Sequence, residues 1–158
     1  MEKLKVYLDT SVISHLEHDD VPEKMADTKQ LWTMFQDGKY RVFLSTVTLE
    51  EIGACPEPKK SLFLRYLGQI DYDLIQIDED VVKVAERLIN KGILTQKSYD
   101  DCQHIGAALV AGCDCIVSWN FKHIVNIKTI MGIRSIADID GCKSIEILSP
   151  SALLESGD

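Results

Sequence analysis

Three carboxylate positions hold the chemistry that this sequence can offer: Asp9, the pair Glu50-Glu51 and the pair Asp100-Asp101. Asp9 ends a short apolar run, Leu4, Val6, Tyr7 and Leu8, and is followed at once by two hydroxyls and a new apolar pattern, Val12, Ile13 and Leu16. That pattern describes a buried strand delivering an acid to its carboxyl end and passing straight into a helix. In open parallel sheets, ligands bind at that edge. Acids at two later junctions repeat the arrangement. Like charges brought together there cost energy unless a cation shares them. Hard carboxylate oxygens select magnesium or manganese, with water completing the octahedron.

Each acid also fits a simpler role. Asp9 suits a helix N-cap. Thr48-x-x-Glu51 and Ser98-x-x-Asp101 have capping-box spacing, with the acid in the first turn where the helix dipole favours it. Helical spacing then chooses within the pairs. His104, Ile105 and Ala108 share a face with Asp101, and Val47 and Thr48 lie one turn before Glu51. Glu51 and Asp101 are therefore expected inward, Glu50 and Asp100 outward.

The elements that must position these acids read as alternating strands and helices. Strand-like runs fall at 4–8, 40–44, 73–77, 114–117 and 144–148. Between them, amphipathic helices are predicted over 24–36, with Met25, Leu31, Trp32 and Phe35 inward, and over 48–54, 61–70 and 78–91, the last burying Val81, Val82, Ala85, Leu88 and Ile89. A helix over 98–111 is rich in small residues, so it should lie close on the sheet; an apolar segment at 124–133 and a last helical turn complete the chain. The alternation implies an α/β fold: one domain over 1–158, a three-layer α/β/α sandwich around a central, mostly parallel five-stranded sheet.

Composition narrows the functional classes. Apolar residues are 46% and charged residues 27%, ordinary for a globular domain. No apolar run reaches the roughly 20 residues of a membrane helix, and the opening Met1-Glu2-Lys3 runs into the first strand, so a cytoplasmic location is expected. The five cysteines lack CxxC spacing and read as buried thiols. A net charge of −8 argues against a broad non-specific grip on nucleic acid, though bound divalent ions reverse the field locally. It also suits a basic protein partner.

Taken together, Leu8-Asp9-Thr10-Ser11-Val12-Ile13, Leu44-Ser45-Thr46-Val47-Thr48-Leu49-Glu50-Glu51-Ile52, Asp101-Cys102-Gln103-His104-Ile105-Gly106-Ala107-Ala108 and Ser118-Trp119-Asn120-Phe121-Lys122-His123 resemble the four motifs of PIN-domain ribonucleases, in particular the small VapC-like toxins. The resemblance implies Mg2+- or Mn2+-dependent cleavage of single-stranded RNA, leaving 5′-phosphate and 3′-hydroxyl ends. It puts Asp9, Glu51 and Asp101 in the metal-ligand places and Ser11 where the family often has a hydroxyl or amide. Many members carry a fourth acid in the last motif, where this chain has Asn120 and His123. The toxins further imply a small basic antitoxin as partner and a homodimer formed through helices near 24–36 and 61–70.

Other residues have weaker claims. Trp119 and Phe121 are candidates for base stacking, and Lys122, Lys59, Lys60 and Arg65 for phosphate contacts. His123 is a further phosphate candidate, His15 a rim residue, and His104 a core or capping residue. Two other functions are compatible with the chain. A PIN-like binding module with a weakened last motif would act through a protein partner alone. An aspartyl-phosphate phosphatase would also begin with an acid ending the first strand, but expects a second Asp where Ser11 stands.

Overall fold

The computed structural model describes residues 2–156. In chain order the elements are β1 (Lys5–Leu8), α1 (Thr10–Ser14), a 3-10 turn (His15–Glu17), α2 (Pro22–Gln36), β2 (Arg41–Ser45), α3 (Thr46–Gly53), α4 (Lys59–Leu67), β3 (Asp73–Ile75), α5 (Glu79–Asn90), a second 3-10 turn (Gln96–Ser98), α6 (Tyr99–Val110), β4 (Cys115–Val117), α7 (Ile127–Asp140), β5 (Glu146–Leu148) and α8 (Pro150–Ser156). The strands form one sheet in the order β3-β2-β1-β4-β5, and every pairing is parallel.

This order makes β1 the central strand. From it the chain steps outward through β2 and β3, then returns to the other side with β4 and β5. The reversal falls between β1 and β4, where Leu8 pairs with Val117. A crevice opens beyond the strand ends at such a reversal, and Asp9 and Ser118 are the next residues on its two walls.

Alternation along β1 builds the two flanking layers. Val6 and Leu8 point into a core with Val12, Ile13, Leu16, Leu31, Trp32, Phe35, Phe63 and Leu153, supplied by α1, α2, α4, α8 and the first 3-10 turn. Tyr7 points the other way, among Val81, Leu88, Ile105, Ala108, Ile133 and Ile136 of α5, α6 and α7. Both faces of the sheet are covered, which is why its strands read as continuous apolar runs rather than as alternations.

The helices depart from their sequence patterns in instructive ways. α3 begins at Thr46, two residues before the apparent capping box, and Glu51 lies well inside it. Thr28 and Val84 are buried on α2 and α5, while Met25 and Val82 are only half-buried. α7 starts three residues later than its apolar segment and runs on to Asp140, closed at its start by the Asn126 side chain accepting from Thr129 N (3.0 Å). The small-residue helix α6 does lie close, but against α5 as well as the sheet: a Cβ on Gly106 would stand 2.9 Å from the Val81 carbonyl oxygen.

That approach generates a paired prediction. Gly106→Val forces α5 and α6 apart and should lower unfolding free energy by about 1–3 kcal/mol. Gly53→Ala, where a Cβ meets nothing within 4 Å, should raise it by up to about 1 kcal/mol. Urea denaturation of the two variants checks both signs.

Candidate active site

None of the three inward acids serves as a helix cap; each reaches across to another element instead. Asp9 has extended backbone before α1 and makes no side-chain cap. Its Oδ1 accepts from Ser11 Oγ (2.6 Å) and its Oδ2 from Ser118 Oγ (2.9 Å), the first residue past β4. Those hydroxyls are oriented in turn. Trp119 N donates to Ser11 Oγ and Asn120 N to Ser118 Oγ, each at 2.9 Å. Both walls of the crevice are thereby fastened to one carboxylate that is 4% exposed.

Glu51 on α3 is half-buried, and its neighbour Glu50 is exposed. Thr10 Oγ1 donates to Glu51 Oε1 (2.7 Å), and His104 Nε2 stands 2.7 Å from the same oxygen. Asp101, in the first turn of α6, is half-buried beside the exposed Asp100. Asp101 Oδ2 lies 3.0 Å from His123 Nδ1, and Asn120 Nδ2 donates to Oδ1 at 3.4 Å. Asn120 and His123, which stand where the resemblance leads one to expect a fourth acid, thus hold the third carboxylate.

His104, expected as a core or capping residue, does more than fill the core. It is buried, but it is not inert filling on a small-residue helix. Its Nδ1 lies 2.6 Å from Tyr7 Oη, which itself donates to Ser45 Oγ (2.8 Å). Nε2 faces the Glu51 carboxylate and donates to it, while Nδ1 and Tyr7 Oη share the second bond.

Burial alone would push the His104 pKa down, but the Glu51 hydrogen bond and the charges of Asp9, Glu51 and Asp101 outweigh it and hold it above the ordinary value. Burial pushes Asp9 up, against the pull of His104 and the serine hydroxyls, and the Asp101 charge adds to the rise. Asp101 is likewise raised by burial and by the Glu51 charge, with His104 and His123 opposing. For Glu51, burial works upward, yet His104 and Thr10 prevail and hold it below the usual carboxylate range. Asp101 raises Asp9 and is raised by Glu51, and all three acids are drawn down by His104.

Among the described residues, no group of three or more His, Cys, Asp and Glu side chains is arranged to hold a metal ion. The donor set nonetheless suits a hard divalent cation. Three carboxylates of opposed pKa tendencies lie at one sheet edge, and each oxygen of Asp9 and Asp101 that accepts a bond keeps a second lone pair. Both bonds to Glu51 fall on Oε1, so its other oxygen remains to bind a cation.

The remaining candidates divide. Trp119 is buried, its Nε1 donating to Thr28 Oγ1 (2.8 Å) and its ring stacked on His15 at 5.5 Å. It has no free face for a base, contrary to its proposed RNA contact. His123 is committed to Asp101 rather than turned to a phosphate. Lys122 is exposed on the loop after β4, and Lys59, Lys60 and Arg65 are exposed on α4. Beyond His104, the sequence reading missed Tyr7, Thr10 and Ser118 as partners. Ser118 was marked only by following a strand, as Asp9 does.

The pKa pattern has a signed consequence for stability. His104 is raised on folding, so its contribution is complete below about pH 6.5, its ordinary value, and is lost as pH climbs through the higher folded value. Without divalent cation, the protein should lose stability as pH rises above about 6.5, and His104→Gln should flatten that slope. Thermal melts in EDTA across the range check it.

No curated protein sequence matches this chain. The fold matches a chain of a toxin-antitoxin complex from Klebsiella pneumoniae with a TM-score of 0.54 and 17% identity, over 75% of this chain and 88% of that one. It also matches a chain of VapBC2 from Rickettsia felis, bound to a DNA fragment from their promoter, with a TM-score of 0.55 and 10% identity over 92% and 98% of the two chains. These identities speak for the fold alone. The PIN-domain family profile matches residues 5–122, from the first strand through the loop that holds Asn120. The chain belongs to the PIN-domain family.

Proposed function

We propose that this protein is a Mg2+- or Mn2+-dependent endoribonuclease that cleaves phosphodiester bonds of single-stranded RNA. The observation that carries the reading is the meeting of carboxylates from separate elements, after β1, on α3 and on α6, at the crevice edge around the buried His104 ring. Like charges gathered at one edge cost energy that His104 offsets in part and a bound cation would offset further. In this reading Asp9, Glu51 and Asp101 are the metal ligands. A bound ion would supply Lewis-acid polarisation of the phosphodiester and acidification of water.

The chain's own residues do the rest. Ser11 and Ser118 fix both oxygens of Asp9, and their own hydrogen bonds to the Trp119 and Asn120 amides keep the post-β4 loop in register. His104 and Thr10 turn Glu51 inward. Asn120 and His123 hold Asp101. Such outer partners are typically worth 10- to 100-fold in metal affinity or activity.

The same reading makes the protein the toxin of a toxin-antitoxin pair, acting in the cytoplasm, with a small basic antitoxin and a homodimer as its assemblies. Support comes from structural relatives that are toxin-antitoxin complexes and from the net charge of −8. No helix among the described residues is long and apolar enough to cross a membrane.

A second reading, a PIN-like binding module without nuclease activity, is favoured by the absence of a preassembled ligand group among the described residues and by Asn120 in the last motif. Mn2+ affinity separates the two readings. The nuclease should bind Mn2+ by calorimetry, and Ser118→Ala should weaken that binding about 10-fold; a binding module should show no such site. Cleavage of a loop-containing RNA should require Mg2+ or Mn2+ and stop in EDTA. Asp9→Asn should slow it by at least about 100-fold, on the scale of losing a charge-stabilising group, while far-UV circular dichroism is unchanged. Cleavage that survives both EDTA and Asp9→Asn rules the proposal out.

A further inference from the structure

The loop after β4 carries an aromatic surface that the acids do not use. Phe121 is 45% exposed. Lys24 Nζ, from the first turns of α2, lies 4.9 Å from the Phe121 ring centroid and 5.4 Å from that of Trp119. Lys24 makes no ion pair among the described residues, in a chain with 25 acidic and 17 basic side chains.

The backbone that carries this pair is tied to the acidic edge. Trp119 meets Phe121 edge-on at 82°. Trp119 Nε1 donates to Thr28 Oγ1, which donates at 2.6 Å to the carbonyl of Lys24 one turn earlier on α2. On its other side, Trp119 N donates to Ser11 Oγ, which donates to Asp9. The buried indole therefore serves as a bracket between the Phe121–Lys24 pair and the first carboxylate. Phe121 is only two residues from it.

We propose that Phe121 and Lys24 form a subsite for one nucleotide of single-stranded RNA flanking the position of cleavage, with the base on the phenyl ring and its phosphate on the lysine ammonium. The position of the scissile phosphate rests on the nuclease reading; the shelf itself rests on its own geometry. A ring accepts any base by stacking, and a neighbouring cation answers the backbone charge. The cation lies against one face of the ring, so the base would take the other, and Lys122, next in the chain, adds a second exposed charge. An RNA strand, with a base and a phosphate in each unit, matches that pairing better than a peptide does.

The test is fluorescence anisotropy of a labelled single-stranded RNA nonamer in Ca2+, with cleavage in Mn2+ measured alongside. Phe121→Ala should weaken binding about 5- to 100-fold, the range of one stacked base, and Phe121→Trp should restore it. Lys24→Ala should reduce the slope of log affinity against log salt by about 0.7, one phosphate contact on a single strand. In cleavage, Phe121→Ala should raise KM far more than it lowers kcat. If the wild-type protein binds this RNA through Phe121 and Lys24 yet cleaves nothing, the shelf stands and the nuclease reading falls. If cleavage depends on Asp9 but Phe121→Ala leaves affinity and KM unchanged, the shelf falls alone. It falls too if wild-type protein does not bind the nonamer, or if Phe121→Ala abolishes only the binding of a protein partner.

Discussion

A buried histidine among carboxylates, its pKa raised by them, is the arrangement on which the site depends. Unit charges about 4 Å apart interact by about 4 kcal/mol at the effective dielectric of a protein near its surface. Three acids assembled with nothing between them would therefore be expensive to fold. His104 supplies the offset from within, anchored on one side by Tyr7 and on the other by Glu51. A divalent ion answers the same need from outside. The folded chain thus tolerates its acids before any ion arrives.

The topology makes this meeting unavoidable. With β1 at the centre and the sheet reversing between β1 and β4, the residues after both strands border one crevice. The helix after β2 brings Glu51 across to Thr10, while α6 brings Asp101 and His104 from the opposite layer. Each acid is fixed by a partner distant in the chain. The loop after β4 fastens the arrangement, because Ser118, Trp119 and Asn120 all touch the network of Asp9 or Asp101.

Much of the fold was legible because burial on both faces leaves plain apolar runs. Val42-Phe43-Leu44 and Cys115-Ile116-Val117 could hardly be anything but inner strands. The inward choice within each acid pair was also visible from helical spacing. What misled was local chemistry that imitates something else. Thr48 and Glu51 have the spacing of a capping box but lie inside a helix already under way. α7 hid its bounds because Ile127, Met131 and Ile139 are exposed, so apolarity no longer reported its buried side. His104 was unreadable for a different reason. Its meaning lies in a tyrosine 97 residues away, and nothing in the helix around it announces that partner. Trp119 looked like a ligand surface because its type suits one, whereas its hydrogen bond to Thr28 makes it internal scaffolding.

The near-contact of Gly106 with Val81 ties the distant layer to this chemistry. Gly106 sits two positions beyond His104 on α6, so the helix that bears Asp101 and His104 is keyed to α5 by a gap with no slack. A bulkier side chain on either helix would rotate or lift α6 and swing both functional groups off their partners. Because the nearest atom is the Val81 backbone oxygen, no exchange of side chain at position 81 can make room for one at 106.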